Sequence, residues 1–334
     1  MPDFFSTLPR ALLSRAIMAL SPLGQRQRLS ILIYHRVVEE RDWMRPAVPT
    51  TAEFAWQMHM LKRHFRVIAL TDAVGLLREG RLPRRAACVT FDDGYADNLT
   101  VALPVLRHYG VPATVFVTAG YLDGGRMWND TVVEALRHCP GDALDLSRWG
   151  LPVYAIAGQI SRRRAAHDII ARCKYLDAAP RKEIVDRVAQ QTRETLPDDL
   201  MLTSLQLLSL HRQGVEIGGH SCSHPILSRL PVERAREDIV RGKRMLEDII
   251  GTPLRLFAYP NGQPLKDYND EHVAVVKDAG FEAAVTTRWG VADRTSDPYQ
   301  LPRFTPWDKS STKFLLRMAL NSRHVAEPAG ACPC

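Results

Sequence analysis

The sequence predicts an α/β fold in which parallel strands form a distorted (β/α)7-type barrel with a helical insertion. Three observations lead to this fold class. Short apolar runs rich in β-branched residues alternate with longer segments of helical periodicity. Strands that alternate with helices form parallel sheets, and the number of runs suffices for a closed or nearly closed barrel. The polar motifs of the chain follow these runs directly, at the strand ends where β/α barrels carry their active sites.

The strand-like runs occupy residues 29–34, 66–70, 87–91, 113–117, 215–217, 256–258 and 283–286. Helical patterns flank most of them, at 53–64, 99–109, 231–250 and 270–279. Between the fourth and fifth runs, residues from about 127 to 210 form a long insertion with helical candidates at 131–138, 165–176 and 181–194. We expect the insertion to lie over the mouth of the barrel, either shaping the site there or supporting the fold.

The barrel is expected to span residues 29–320, between an N-terminal segment of residues 1–28 and a tail of residues 321–334. In the N-terminal segment, Arg10 and Arg15 interrupt the apolar residues, which fall short of the roughly 20 needed to span a bilayer. This pattern predicts a short amphipathic helix that can contact an anionic membrane surface. It lacks the uncharged core and cleavage site of a signal peptide.

Composition and charge restrict the classes of partner. The chain has 334 residues, of which 46% are hydrophobic and 24% charged, as in ordinary globular proteins. Its net charge of +7 fits an acidic glycan or a lipid phosphate as partner. No nucleic-acid recognition motif or basic-aromatic pattern is present, so we expect no nucleic acid partner.

The cysteine content favours a reducing compartment. Six cysteines in a chain of 334 residues do not form a dense disulfide framework. Cys88 lies in a predicted strand and Cys222 in a predicted loop, so both are expected to be free thiols. The sequence therefore predicts a cytoplasmic protein with peripheral membrane association through the N-terminal segment.

The segment TFDDGY at positions 90–95 places two adjacent carboxylates at the end of a buried run. Side chains alternate along a strand, so Asp92 and Asp93 are expected to point in different directions. One carboxylate can then bind a metal while the other acts as a base beside it. The alternative is a polar turn, since Asp and Gly are common turn residues.

The segment GGHSCSHP at positions 218–225 carries two histidines after another apolar run. The flanking glycines and Pro225 favour a loop, in which His220 and His224 can still meet at one point. Two imidazoles and one carboxylate form a divalent-metal ligand set that leaves positions open for water and substrate. A closed structural zinc site on Cys222 would require a second CxxC-type half, which is missing.

With these two motifs the chain resembles the polysaccharide deacetylase family, the NodB-homology or carbohydrate esterase family 4 enzymes, which carry TFDDG and HSxxHP in this order. The resemblance covers roughly residues 30–125 and 200–305. It implies a barrel of the NodB-homology kind. It also implies that Asp92 is the catalytic base and that Asp93, His220 and His224 bind a divalent ion, most readily Zn²⁺.

A third segment, RLFAYPNG at positions 255–262, is similar to the Arg-to-YPxG segment of the family. The resemblance implies that Arg255 orients the base and keeps it ionised. It also implies that the backbone N–H of Asn261 helps to hold the oxyanion. The aromatic candidates for contact with a sugar are Tyr95, Tyr259 and Trp128.

The sequence departs from the family pattern near its C-terminal end. Many members supply an acid histidine from a Leu-x-His motif after the last strand, but residues 300–305 read QLPRFT. The Tyr-His dipeptide at 34–35 resembles that of the exopolysaccharide-associated branch, in which the first strand supplies the acid. His35 is therefore either the acid or a structural histidine at the rim, with Asp293 or Asp297 as candidates to orient it.

The resemblance implies a metal-dependent hydrolase that removes N-acetyl groups from an amino sugar in a polysaccharide or a lipid-linked glycan. A close alternative is hydrolysis of another C–N amide bond, such as that of a formamido sugar or a ureide. A barrel that binds glycan without turnover is a second alternative. Asp92 favours an enzyme, because a site that only binds a metal needs no base beside it.

Overall fold

A curled parallel sheet forms the centre of the protein in the computed structural model, which describes residues 27–192 and 194–324. Its strands follow the order β1-β3-β4-β7-β8-β9, and β2 pairs with β3. Their bounds are β1 Leu29–Tyr34, β2 Arg66–Val67, β3 Ala86–Phe91, β4 Ala113–Val117, β7 Glu216–Gly219, β8 Leu256–Ala258 and β9 Ala283–Val285. A separate antiparallel hairpin consists of β5 Ala143–Asp145 and β6 Val153–Ala155.

Residues 301–304 bridge the two edges of the sheet. On one side, the Leu301 N–H donates to the Ala284 carbonyl and the Thr286 N–H donates to the Leu301 carbonyl, both at 2.9 Å. On the other side, the Phe304 N–H donates to the Ile31 carbonyl at 3.0 Å, and the Phe304 carbonyl accepts from the Ile33 N–H at 3.0 Å. The curled sheet is thereby closed between β9 and β1. The predicted fold class is confirmed.

Ten α-helices in the described residues surround the sheet and fill its connections. They are α1 Thr51–His64, α2 Leu70–Arg78, α3 Leu103–Tyr109, α4 Trp128–His138, α5 Gln159–Cys173, α6 Ala178–Ala189, α7 Ser204–Arg212, α8 Val232–Ile250, α9 Asp270–Asp278 and α10 Ser311–Asn321. The first begins with a capping box in which Thr50 and Glu53 satisfy each other's backbone N–H groups. The predicted run at 66–70 yields only two strand residues, because α2 already begins at Leu70.

The chain between β4 and β7 forms a small subdomain with a hydrophobic core of its own. The core packs side chains of α4, α5 and α6 against Leu144 and Tyr154 of the hairpin. The hairpin was not predicted, because each of its strands has three residues and buries only the middle one. A single buried residue per strand gives too weak an alternation to reveal a strand in the sequence.

Two further expectations concern the cysteines and the terminal segments. Cys88 and Cys222 are buried free thiols, as predicted. No helix among residues 27–192 and 194–324 is long and apolar enough to cross a membrane. Residues 1–26 of the predicted amphipathic segment and residues 325–334 of the predicted tail lie outside the described residues.

Candidate active site

Three predicted metal ligands come together at the carboxyl ends of the strands. Asp93 follows β3, and His220 and His224 lie in the loop after β7. The Asp93 Oδ1 atom lies 3.4 Å from His220 Nε2 and 3.5 Å from His224 Nε2. One ligand atom from each residue falls within 4.8 Å of the others. Two imidazole nitrogens and a carboxylate oxygen around one point fit a divalent transition-metal ion with positions open for water and substrate.

Left-handed backbone conformations form the two turns that carry these ligands. Asp93, Ser221 and His224 have φ angles of 77°, 61° and 52°. Such angles are uncommon for residues other than glycine and concentrate at functional sites. Gly94 has a φ of 86°, and a Cβ atom there would lie 2.9 Å from the Val117 Cγ1 atom. Glycine is therefore required by both backbone conformation and space.

The two histidines present the nitrogen atoms that a metal needs. The Nδ1–H of His220 donates to the Ala258 carbonyl at 2.7 Å, which leaves Nε2 directed toward Asp93. Burial lowers the pKa of His224 to about 4, so this imidazole is neutral at neutral pH. Burial raises the pKa of Asp93, but the contact with His220 and the electrostatic effect of the nearby imidazoles outweigh it and hold that pKa well below its ordinary value.

Helix α8 holds the histidine loop in place. The Asp238 carboxylate accepts hydrogen bonds from the backbone N–H groups of Cys222 and Ser223 at 2.9 and 3.1 Å, and from the Ser223 hydroxyl at 2.7 Å. A Cβ atom on Gly242 of the same helix would lie 2.7 Å from the carbonyl of Ser221. Asp238 was not predicted from the sequence. Its only signal was a carboxylate on the helix that follows the loop.

Asp92 forms a buried, bidentate ion pair with Arg303. Both of its carboxylate oxygens accept from the guanidinium at 2.7 Å, and Arg303 is fully buried. The same guanidinium donates to the Thr90 hydroxyl at 3.1 Å and to the Thr286 carbonyl at 2.9 Å. Burial raises the pKa of Asp92, but the positive charge of Arg303 outweighs burial and leaves the pKa below its ordinary value. Asp92 is therefore ionised and fixed in orientation.

The predicted role of Arg255 is wrong. Arg255 is an exposed residue that forms a bidentate pair with Glu282, with both contacts at 2.7 Å. It precedes β8, so it lies at the amino end of the strand, opposite to the carboxyl ends that carry the site. Arg303, from the segment that bridges β9 and β1, occupies the place next to the base. The signal in the sequence was the arginine between Pro302 and Phe304, in the segment that lacks the histidine of the Leu-x-His motif.

Above the predicted ligands lies a cavity of about 640 Å³. Its lining includes the predicted site residues Asp92, Asp93, His220, His224, His35, Asn261, Tyr95 and Trp128. The Tyr95 hydroxyl donates to Asp130 at 2.9 Å, and the Arg36 guanidinium packs 4.7 Å from the centre of the Tyr95 ring. Asn261 has a φ of 61°, and its carbonyl accepts from the Thr287 hydroxyl at 2.6 Å. The structure thus brings these predicted residues to one cavity.

His35 is an exposed side chain on this cavity, directly after β1. The two residues proposed to orient it are elsewhere. Asp293 follows Ala292, which pairs with Leu29 at the amino end of β1, and its carboxylate accepts from Thr295. The Asp297 carboxylate accepts from the N–H of Tyr299 and the side chain of Gln300. Both carboxylates therefore serve local turns at the amino ends of the strands.

Tyr259 does not belong to the cavity wall, so its prediction as a sugar contact is wrong. Its side chain is fully buried, with its ring stacked on Tyr268 at 3.9 Å between centres. It packs in the main core with Phe257, and its hydroxyl has no hydrogen-bond partner among the described residues. Trp307, which was not predicted, lines the cavity with 51% of its surface exposed. It follows closely on residues 301–304, and the Arg317 guanidinium packs 4.5 Å from the centre of its ring. Trp307 and Trp128 both line the cavity, where aromatic side chains can contact a sugar ring.

Comparison with known proteins finds relatives among polysaccharide deacetylases. The sequence profile of the polysaccharide deacetylase family matches residues 79–140 and 185–284. A putative polysaccharide deacetylase, YxkH of Bacillus subtilis, is 21% identical over 277 residues, covering 83% of this chain and 70% of that protein. A poly-beta-1,6-N-acetyl-D-glucosamine N-deacetylase of Staphylococcus epidermidis is 30% identical over 81 residues, covering 24% of this chain and 28% of that protein.

Solved structures show the same fold. The Streptococcus pyogenes deacetylase PplD in complex with acetate superposes with a TM-score of 0.59 at 18% identity. IcaB from Ammonifex degensii superposes with a TM-score of 0.58 at 22% identity. Each superposition covers 88% of this chain and 98% of the other chain. The family profile does not cover residues 141–184, so the match is interrupted within the insertion.

Proposed function

We propose, from its match to the polysaccharide deacetylase family of C–N hydrolases, that this chain is a divalent-metal-dependent enzyme. It would remove N-acetyl groups from an amino sugar in a polysaccharide or a lipid-linked glycan. One observation carries the proposal. Asp92, held by the buried Arg303, lines the same cavity as the cluster of Asp93, His220 and His224. An ionised carboxylate next to a metal-ligand set is the arrangement that hydrolysis of an amide by activated water requires.

The ligand set supports a divalent-metal cofactor. Asp93, His220 and His224 would hold the divalent ion, with Zn²⁺ suited to two imidazoles and a carboxylate. When bound, such an ion supplies Lewis-acid activation of water and of the acetyl carbonyl. The hydrogen bond from His220 to the Ala258 carbonyl orients one of these ligands before the ion binds.

The remaining residues would handle protons and charge. Asp92 takes the proton of the attacking water, and Arg303 keeps this carboxylate ionised and correctly oriented. The backbone N–H of Asn261, on the cavity wall, helps to stabilise the oxyanion of the tetrahedral intermediate. His35, on the exposed side of the cavity, donates a proton to the amine as it leaves.

The relatives and the composition support the choice of substrate and setting. The S. epidermidis relative is by name an N-deacetylase of an N-acetylglucosamine polymer, and two tryptophans line the cavity here. The buried free thiols fit the reducing conditions of the cytoplasm. Peripheral membrane contact would come through the N-terminal segment, and no nucleic acid is expected as a partner.

The Asp92→Asn variant tests the base. We expect it to retain bound metal and to release acetate roughly 10²-fold to 10⁴-fold more slowly, the range expected for loss of a general base. Acetate release from N-acetylglucosamine oligosaccharides and metal content should be measured on the same preparation. Asp93→Asn is the matched control and should lose metal. Equal metal loss in the two variants would contradict the assignment of separate roles.

The His35→Ala variant tests the acid. Expulsion of an amine requires its protonation, so we expect strongly slowed hydrolysis of the N-acetyl sugar with unchanged metal content. An aryl acetate carries a leaving group that departs without a proton, so its hydrolysis should be affected much less. Equal impairment of both substrates would assign His35 a structural role. A rate near that of the wild type on the sugar would exclude His35 as the acid.

A further inference from the structure

Among the described residues, two cations on the cavity wall have no counterion, Lys174 and Arg181. Arg36 and Arg45 also line the cavity, but each forms an ion pair with a carboxylate, Arg36 with Asp97 at 2.7 Å. Lys174 and Arg181 differ from them. Neither forms a salt bridge or a side-chain hydrogen bond with any residue in the part of the chain that the structure describes. Both are half-buried, so solvent screens their charges less than it would on an open surface.

Aromatic rings position these two side chains. The Arg181 guanidinium lies 5.3 Å from the centre of the Trp128 ring, and the Lys174 ammonium lies 5.5 Å from that of Tyr175. Cation–π contact orients a cation but leaves its N–H donors free for another partner. Arg229 and Lys266 also pack against Tyr175, whose hydroxyl donates to Asp267 at 3.2 Å, so cations outnumber carboxylates around this ring.

The carboxylates of the cavity are already engaged. Asp92 pairs with Arg303, and Asp93 faces the two histidines. Asp130 accepts from both Arg45 and the Tyr95 hydroxyl. None of them offsets the charge of Lys174 and Arg181, so these two side chains are free to bind an anionic group of a ligand in the cavity.

We propose that the glycan substrate carries an anionic group, a carboxylate or a phosphate, near the N-acetyl sugar, and that Arg181 and Lys174 bind it. Arg181 offers a planar fork suited to either group, and Lys174 adds a second positive charge. Both residues lie within 141–184, the segment that the family profile does not cover, so they belong to the insertion and not to the shared catalytic machinery. This inference rests on the proposed function, because it specifies the substrate class of the same site.

The test compares matched oligosaccharides that share the N-acetylglucosamine unit. One is a neutral N-acetylglucosamine oligomer, one alternates N-acetylglucosamine with a uronic acid, and one carries a phosphate monoester at its reducing end. We expect the wild type to have a higher kcat/KM for one of the anionic oligomers. In Arg181→Gln and Lys174→Gln the ratio of anionic to neutral kcat/KM should fall roughly tenfold to hundredfold, as for loss of a charged hydrogen bond. The anionic oligomer whose kcat/KM falls in the variants shows whether the site prefers a carboxylate or a phosphate.

Lys182→Gln is the matched control. Lys182 follows Arg181 in α6, but it pairs with Asp186 on the surface and does not line the cavity, so its loss should leave the ratio unchanged. Equal kcat/KM for neutral and anionic oligomers, with no change of the ratio in Arg181→Gln, would overturn the inference while the deacetylase function stands.

A binding measurement separates this inference from the proposed function. Calorimetric titration of the Asp92→Asn protein with the neutral and anionic oligomers needs no turnover. We expect tighter binding of an anionic oligomer, lost when Arg181→Gln is added. Absence of acetate release from every oligomer would refute the proposed function, and the titration would still decide the inference. Equal affinity for all oligomers would refute the inference.

Discussion

Replacement of His220 by alanine is expected to remove the bound divalent metal and to abolish acetate release while the protein remains folded. His220 supplies one of three ligand atoms that lie within 4.8 Å of one another, and two ligands cannot hold the ion in an open site. The fold should survive, because burial of apolar surface dominates the stability of a domain of this size. Metal content after dialysis, acetate release and thermal unfolding should be measured on one preparation.

His272→Ala is the matched control for this prediction. His272 is likewise buried and hydrogen-bonded to a backbone carbonyl, that of Leu227 at 3.0 Å, but it belongs to the capping box of α9 with Asn269 and does not line the cavity. Its loss should lower the melting temperature and leave the metal in place. Retention of stoichiometric metal by His220→Ala would refute the ligand assignment. An unfolded His220→Ala protein would instead show that the metal ligands also support the fold.

The fold was predictable because most barrel strands are short, apolar and bounded by a helical segment. The run at 87–91 became a strand, Ala86–Phe91, with every residue buried. The small hairpin of the insertion was not predictable in this way. Its strands bury Leu144 and Tyr154 against helices distant in sequence, and packing of this kind leaves no local pattern.

The site residues that lie in local motifs were predictable from the sequence. The partner of the base was not, because it comes from far along the chain. Asp93, His220 and His224 lie in two compact motifs, and their strands end at the same edge of the sheet. The partner of Asp92 lies 211 residues away, in the segment that bridges β9 and β1. Arg255 was predicted to orient the base because it lies in a local motif. It precedes β8, at the amino end of the strand, whereas the site lies at the carboxyl ends.

The Arg303→Met variant is expected to lose both stability and activity. It would leave Asp92 as a buried, unpaired carboxylate, and breaking a buried ion pair by removing one partner costs about 3–5 kcal/mol in the free energy of unfolding. The loss should appear as a lower midpoint in urea unfolding with little change in slope. Acetate release should also fall, because the base loses the group that orients it and keeps it ionised.

A double variant and a surface pair make this prediction specific. Arg303→Met combined with Asp92→Asn removes both charges, so it should regain much of the lost stability without regaining activity, since the base is then absent. Arg255→Met breaks a pair of the same bidentate geometry that is exposed to solvent, and should cost less than about 1 kcal/mol. Comparable losses of stability in Arg255→Met and Arg303→Met would contradict the buried position of Arg303. Normal acetate release by Arg303→Met would show that Asp92 acts without an orienting partner.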